Sequence, residues 1–375
     1  DREFLERAHR AVLLVQNNDP AFNALWKHIM AVSLPDLRRN YDNLDVHFDV
    51  WKGESNVGPY IKDMIDDLEK RGIAYESQGA LVVDIAEEND TKELPPCIVR
   101  KSDGAAIYAT SDLATILERE KLYKPDQYIY LADKRQELHF TQVFRTARKA
   151  GYIKPETKTD YIGFGTMNGK DGKPFKTREG GVLRLEYLLK DVEEAVYAKI
   201  QENRTMDESK AREAAKKIGL AAVKYGDLSN QASKDYIFDV ERFTSFEGNT
   251  GPYILYTMVR IKSILAKYTE QTNAKPDAAV TYTGRDYSVS ETELMLAATR
   301  FPDMLFRAAN ELAPHKICQY IYDLSNAFNS FYHENKILSE SDAAKQAQWI
   351  ALILLVLRIL ETCTRLLGFE APERM

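Results

Sequence analysis

QYIYLADKRQELHFTQVFRTARKAGYIKPETKTDYIGFG, residues 127–165, decides the fold class. Its opening, Gln127 to Leu131, is rich in aromatic and β-branched side chains and reads as a strand. Gln136 to Ala150 read as a helix and Tyr161 to Gly165 as a second strand. Strand, helix and strand at this spacing form the crossover unit of a parallel sheet. Upstream, Ile98 to Arg100 and Ala106 to Tyr108 read as short β segments around a Lys-Ser-Asp-Gly turn, and Ser111 to Glu120 as a helix. The whole run is then β-α-β-α-β, and in such sheets ligands bind outside the carboxyl ends of the strands. Tyr108 and Asp112 follow the first strand, Gln136 and His139 the second, and a cationic loop the third. Three strand ends are therefore expected to converge on one site.

That loop continues the third strand: residues 161–181 read YIGFGTMNGKDGKPFKTREGG. Gly165, Gly169, Gly172, Gly180 and Gly181 permit positive φ angles and close approach to a ligand, while Lys170, Lys173, Lys176 and Arg178 supply cations. Such a loop suits a polyphosphate, whose developing charge ammonium and guanidinium groups stabilise. The sequence also fits a solvated hairpin, because Gly169-Lys-Asp-Gly-Lys173 is made of ordinary turn residues. Only half of a doubly wound sheet is present, since nothing before residue 97 supplies an equivalent run. There is no GxGxxG after a strand and no GxxxxGK[ST].

The rest of the chain sets bounds. Its 375 residues, 44% hydrophobic and 29% charged, are those of a globular protein with two or three domains. A net charge of -6 argues against binding nucleic acid through bulk charge, so any such binding rests on local patches. Cys97, Cys318 and Cys363 lie far apart, which indicates neither a disulfide framework nor a zinc site and fits a reducing, cytoplasmic home. The longest apolar run, Trp349 to Leu357, is about half of the ~20 residues a membrane span needs.

Residues 1–40 read as helical, with Asp19-Pro20 as a helix start and Ser33 with Pro35 as a further turn. Val46 to Val50 alternate like a strand, on which His47 reads as a surface residue. A helix over 57–71 precedes two short strands joined at Gln78-Gly79. From Arg184 onward the pattern is helical, with a capping box at Thr205, a Gly/Asn/Pro-rich link over 245–253, and helices over 253–268, 291–312, 314–332 and 342–367. The last is apolar over the broadest face and should be the most buried.

Several long strings carry a family resemblance. They are IVRKSDGAAIYATSDLAT (98–115), DKRQELHFTQVFRTARKAGY (133–152), GFGTMNGKDGKPFKTREGGVLRL (163–185) and AVKYGDLSNQASKDYIFDVERFTSFEGNTGPYILY (222–256), followed by YDLSNAFNSFY (322–332) and a C-terminal GFEAPERM. In collinear order over essentially the whole chain, the sequence resembles arginyl-tRNA synthetase, a class I aminoacyl-tRNA synthetase. The resemblance implies an α/β plus all-α architecture: the second half of a Rossmann-like parallel-sheet catalytic domain, then a helical-bundle anticodon-binding domain. Residues 1–96 would be an insertion or connective part of the catalytic domain, 97–252 its second half with the cationic loop and following helices, and 253–375 the anticodon-binding domain.

It also implies roles. Lys173-Pro-Phe-Lys-Thr177 is similar to the class I Lys-Met-Ser-Lys-Ser loop, with Pro174 and Phe175 replacing Met and the first Ser. Lys176 would hold the ATP phosphates, with Lys173 and Arg178 as further catalytic cations. Tyr108, Asp112 and Gln136 match the pocket for the substrate guanidinium. His139, Gly165, Thr166 and Met167 would bind ATP beside Lys176. The Asp112 carboxylate suits guanidinium binding, because it accepts two parallel N–H bonds from a planar guanidinium, a fork that lysine cannot reproduce. Structural readings stand beside these: Asp112 as a helix N-terminal charge, Tyr108 as sheet core, Gln136 as a first-turn residue and His139 as a satisfied core histidine.

The implied activity is arginine activation by ATP with Mg2+ and transfer to the terminal adenosine of tRNA(Arg), in a cytoplasmic, monomeric enzyme without membrane attachment or a resident metal. The class signature HxGH is absent around all six histidines, and the chain starts at Asp1 in helical register. The expectation is a C-terminal fragment that does not aminoacylate alone. The alternative is a non-catalytic tRNA-binding module with a vestigial nucleotide site. For RNA contact, Tyr320, Phe328, Phe331 and Tyr332 are candidates by residue type.

Overall fold

Asp19 Oδ1 accepts hydrogen bonds from the Ala21 and Phe22 amides, so the Asp-Pro pair opens a helix as its sequence predicts. The computed structural model describes residues 2–16, 19–102, 104, 106–173, 184–202, 206–277 and 285–375. They form two units, Asp1–Asp42 with His47–Gly165, and Asn43–Val46 with Thr166–Met375.

The first unit begins with α1 (Arg2–Gln16) and α2 (Pro20–Asn43). α2 continues through Ser33 and Pro35, where the sequence suggested a turn. The proline removes one amide from a helix of 24 residues, a local loss that does not divide it. The expected strand at Val46–Val50 does not form, because alternation without a partner strand makes no ladder. Phe48 and Trp51 instead pack edge-on against Tyr41, with ring centroids 4.8 and 5.6 Å away.

After α3 (Gly58–Lys70) comes an antiparallel meander of β1 (Tyr75–Ser77), β2 (Ala80–Val83) and β3 (Cys97–Arg100). Its hairpin turns at Gln78 and Gly79, with φ of 52 and 79°, the pair of positive angles a two-residue type I′ turn needs. Next come α4 (Tyr108–Leu122), β4 (Gln127–Asp133), α5 (Glu137–Lys149) and β5 (Lys158–Phe164). β4 and β5 run parallel, in register from Gln127↔Lys158 to Asp133↔Phe164. The crossover reading of residues 127–165 therefore holds.

The expected third parallel strand does not. β3 belongs to the antiparallel meander, and Tyr108 opens a helix rather than ending a strand. Two parallel strand ends, not three, stand in this unit among the described residues. The core joins Leu68 of α3, Val83, Val99, Leu113 and Ile116 of α4, and Val143 and Ala147 of α5. Tyr128 of β4 points into it, whereas the alternating Ile129 and Leu131 are 48 and 67% exposed. An apolar face on both sides is the mark of a parallel strand, and here one side is open.

The second unit opens with β6 (Met167–Asn168), then α6 (Leu185–Glu202), α7 (Glu208–Leu228), β7 (Tyr236–Ile237) and α8 (Val240–Phe243). The bundle follows with α9 (Gly251–Thr272), α10 (Val289–Thr299), α11 (Phe301–Asn310), α12 (Pro314–Glu334) and α13 (Ala343–Leu366). The helix expected over 291–312 is two helices, because Pro302 sits in the first turn of α11 and restarts it. Asp342 caps α13 through the Ala344 and Lys345 amides, and Gly368 closes it at φ 78°. Trp349, Ile353, Val356, Leu360 and Cys363 of α13 are buried against α9 and α12, in keeping with its broad apolar face. Asp207 stands at the N-cap position of α7 without a side-chain cap bond; Thr205 lies outside the described residues.

Candidate functional site

The start of α4 sets where Asp112 stands. Thr110 Oγ1 accepts from the Ile107 amide at 3.1 Å, and its hydroxyl donates to the Val99 carbonyl at 2.7 Å. Thr110 thus performs the capping, and the first turn of α4 carries no acidic residue. That removes the reading of Asp112 as a helix-start charge. Tyr108, four residues earlier and on the same helical face, is 74% exposed, so it is not sheet core.

At the end of β4 the backbone turns sharply into α5. Asp133 Oδ1 accepts from the Arg135 amide at 2.9 Å, and the Arg135 guanidinium donates to both carboxylate oxygens at 2.8 and 2.7 Å. These bonds, the guanidinium's first, pull the Asp133 carboxyl down to about 2. Tyr161 of β5 donates its hydroxyl to the Asp133 carbonyl, and its ring stacks on Phe140 of α5 at 5.1 Å. Gly163 of β5 lies so close to this turn that a Cβ there would stand 2.8 Å from Lys134 Cα. Strand, turn and helix are locked together, and Gly163 is required by that approach.

The lock places Gln136 at the N-cap of α5, exposed and with no side-chain cap bond. Three residues on, His139 Nε2 meets Asp112 Oδ2 at 2.6 Å. Both side chains are about three-quarters buried. The structure therefore joins Asp112 and His139 directly, with Tyr108 one turn before the aspartate and Gln136 one turn before the histidine. Gly165 ends the first unit, and Thr166 and Met167 belong to the second.

In the second unit the backbone after β5 is held by β7. The Tyr236 and Phe238 amides donate to the Thr166 and Asn168 carbonyls at 3.1 and 2.8 Å, and the Thr166 amide donates to Asp235 at 2.7 Å. A tight turn follows, in which the Gly169 amide donates to the Lys173 carbonyl at 2.8 Å and Gly172 takes φ 71°. Lys170 bonds Asp239, the cap of α8, at 3.0 Å. Burial opposes ionisation of Asp239, but Lys170 and the amides of residues 241 and 242 outweigh it and lower its pKa. Of the loop's cations, Lys170 is thus committed to the scaffold. Lys176 and Arg178 lie outside the described residues. Among the described residues no group of three or more His, Cys, Asp or Glu side chains could hold a metal ion, and no described helix is long and apolar enough to cross a membrane.

The bundle holds a second cluster. Arg260 of α9 donates to Asn329 Oδ1 of α12 at 2.7 Å and to the Tyr256 hydroxyl at 3.0 Å. Its guanidinium carbon lies 4.7 and 5.5 Å from the Tyr256 and Tyr332 ring centroids. Asn329 donates to the Tyr253 hydroxyl at 2.9 Å, and Tyr332 stacks on buried Phe328 at 6.0 Å. Tyr256 and Tyr332 are exposed. Of the four aromatic candidates, Tyr320, Phe328 and Phe331 are core, and Tyr332 alone is exposed. Sequence reading missed Tyr256 and Arg260, whose signal was an aromatic and a cation spaced i, i+4 opposite the apolar stripe of α9.

Residues 1–240 match the model for tRNA synthetases class I (R), catalytic domain, and residues 254–375 match the DALR anticodon binding domain. The chain belongs to the class I arginyl-tRNA synthetases. An arginine--tRNA ligase of Agathobacter rectalis is 54% identical over the whole chain, and one of Alkaliphilus oremlandii is 51% identical. The chain spans 64 and 63% of the length of these two relatives. Arginyl-tRNA synthetase from Plasmodium falciparum superposes on 100% of the chain with a TM-score of 0.83 at 23% identity, covering 62% of that protein. The Thermus thermophilus arginyl-tRNA synthetase superposes on 96% with a TM-score of 0.77 at 21% identity, covering 68%. As a member of this synthetase family, the chain combines class I catalytic-domain sequence with a helical anticodon-binding bundle, as its strings implied.

Proposed function

We propose that this chain is a portion of an arginine–tRNA ligase, which activates L-arginine with ATP to arginyl-adenylate and transfers arginine to the 3′-terminal adenosine of tRNA(Arg). The single observation that carries the reading is the 54% identity to an arginine--tRNA ligase over the entire chain. Asp112 takes the substrate guanidinium, with the Tyr108 hydroxyl and Gln136 amide for its remaining donors. Lys176, Lys173 and Arg178 serve the ATP phosphates, and Gly165, Thr166 and Met167 the nucleoside. Mg2+ would arrive with the ATP phosphates, and no step here depends on a protein-held ion. The Arg260, Tyr256 and Tyr332 cluster is the surface of the bundle best suited to unstacked RNA bases, since two exposed rings and a guanidinium plane offer stacking partners. We place the protein in the cytoplasm as a monomer.

Arginine-driven, tRNA-dependent ATP–pyrophosphate exchange, measured on the full-length ligase, tests the reading. Asp112→Asn removes the anionic acceptor and should lower kcat/KM for arginine by about a hundredfold or more, the scale on which sites built for specific hydrogen bonds reject a mismatch. Unchanged arginine kinetics in Asp112→Asn would remove the guanidinium assignment.

A further inference from the structure

The pairing of Asp112 with His139 carries an inference about how the arginine site keeps its shape. It rests on the assignment of Asp112 to the guanidinium made above. A carboxylate on a helix face turns about two side-chain torsions, and a fork-to-fork bond with a guanidinium needs its plane fixed. Here one oxygen is held: His139 Nε2 lies 2.6 Å from Asp112 Oδ2, the short distance of a charge-assisted bond. The imidazole is itself held, because its ring packs edge-on to Phe140 at 4.9 Å. Phe140 is 7% exposed and stacks on Tyr161 of β5. The orientation of the carboxylate is thereby referred to the parallel strand pair rather than left to α4 alone.

We propose that His139 is a positioning residue for arginine recognition, donating Nε2–H to Asp112 Oδ2 so that the carboxylate plane is preset for the substrate's guanidinium. The lone-pair count permits it. An ionised carboxylate offers about four acceptor sites; His139 fills one, and each oxygen keeps a free site for the two parallel guanidinium bonds. An ammonium substrate makes no use of that preset plane, so the pair sharpens discrimination as well as affinity. This assignment differs from the one the family resemblance suggested, in which His139 serves ATP, and the two predict different kinetics.

The test is steady-state ATP–pyrophosphate exchange on the full-length ligase with His139→Ala, His139→Gln and Asp112→Asn side by side. His139→Ala should raise KM for arginine about ten- to a hundredfold, the factor a hydrogen bond to a charged group carries, with KM for ATP within about twofold of the parent. His139→Gln, whose amide can donate to the same oxygen, should recover much of the arginine KM. A rise in KM for ATP with arginine unaffected would overturn the proposal in favour of a nucleotide role. An equal rise in both constants, unrescued by glutamine, would reduce the pair to a structural bond. If Asp112→Asn leaves arginine kinetics intact, the site assignment itself fails and takes this inference with it. If Asp112→Asn abolishes arginine dependence while both His139 variants keep the parent KM, the positioning role alone fails.

Discussion

At the scale of single residues, two glycines are explained by what surrounds them rather than by the conformations they adopt. Gly163 admits the Lys134 backbone, and Gly251 admits that of α7: a Cβ at 251 would stand 2.3 Å from the Ala221 carbonyl oxygen and 2.6 Å from its carbon. Neither partner is a flexible side-chain end that could swing away. Gly251→Ala should therefore destabilise the second unit by about 1–3 kcal/mol, the usual cost of overpacking. Gly53→Ala, where an added Cβ would meet no other described residue within 4 Å, serves as the control. Urea denaturation of the two variants checks this, and equal midpoints would show that α7 and α9 can separate at no cost. Neither glycine declares its reason in the sequence. Gly251 reads there as part of a Gly/Asn/Pro-rich link, because a close approach depends on the path of a second segment that local pattern does not contain.

At the scale of elements, the order 127–165 was legible because strand and helix periods are local and strong. The partners were not. Alternation at Val46–Val50 satisfied the strand pattern, but a strand also needs a neighbour, and none pairs with it among the described residues. The first β segment was read into the parallel sheet, whereas β3 pairs back onto β2. Local pattern is equally silent on what holds the connection between β2 and β3. In the structure, Arg145 of α5 donates to both Asp90 oxygens at 2.7 Å and to the Ile85 carbonyl at 3.1 Å, clamping that loop to the helix. The guanidinium, with help from the Glu87 amide, lowers the Asp90 pKa from 3.8 to about 2. A depressed carboxylate contributes fully above its ordinary pKa and loses its contribution as pH falls through the folded value. The clamp should hold at pH 5 to 8 and release between about pH 4 and 2. Hydrogen-exchange protection of the Glu87 and Asp90 amides, taken relative to intrinsic exchange at each pH, should be lost in that window and not in the neutral range. Asp90→Asn should show fast exchange already at pH 7. If exchange there is as slow as in the parent, the loop is held by something other than this pair.

At the scale of the whole molecule, the proposed tRNA recognition would have to work without bulk positive charge, since the chain carries a net charge of -6. Long-range attraction is therefore weak, and specificity has to come from placed contacts. The sequence foresaw that requirement but chose the aromatics by type. Three of the four proved to be core, because a helix bundle buries most of its rings and a single sequence does not label the exposed face. The exposed cluster joins α9 and α12 through Arg260, whose fork is spent on Asn329 and Tyr256 while its plane remains beside two rings. Arg260→Ala should weaken tRNA(Arg) binding by about 1–3 kcal/mol, the range of one stacked base, or roughly tenfold and more in Kd. Arg260→Lys should recover little of it, because a lysine keeps the charge but not the plane. Arg307→Ala removes an exposed arginine paired with Asp303, one turn away on the same helix, and should leave affinity nearly unchanged. Fluorescence anisotropy titrations with labelled tRNA(Arg) at two salt concentrations separate the contributions. Loss of a stacking plane shifts both titrations alike, whereas loss of a phosphate contact flattens the salt dependence. If Arg260→Lys restores full affinity, the residue acts as a charge, and the reading of this face as a stacking surface is wrong.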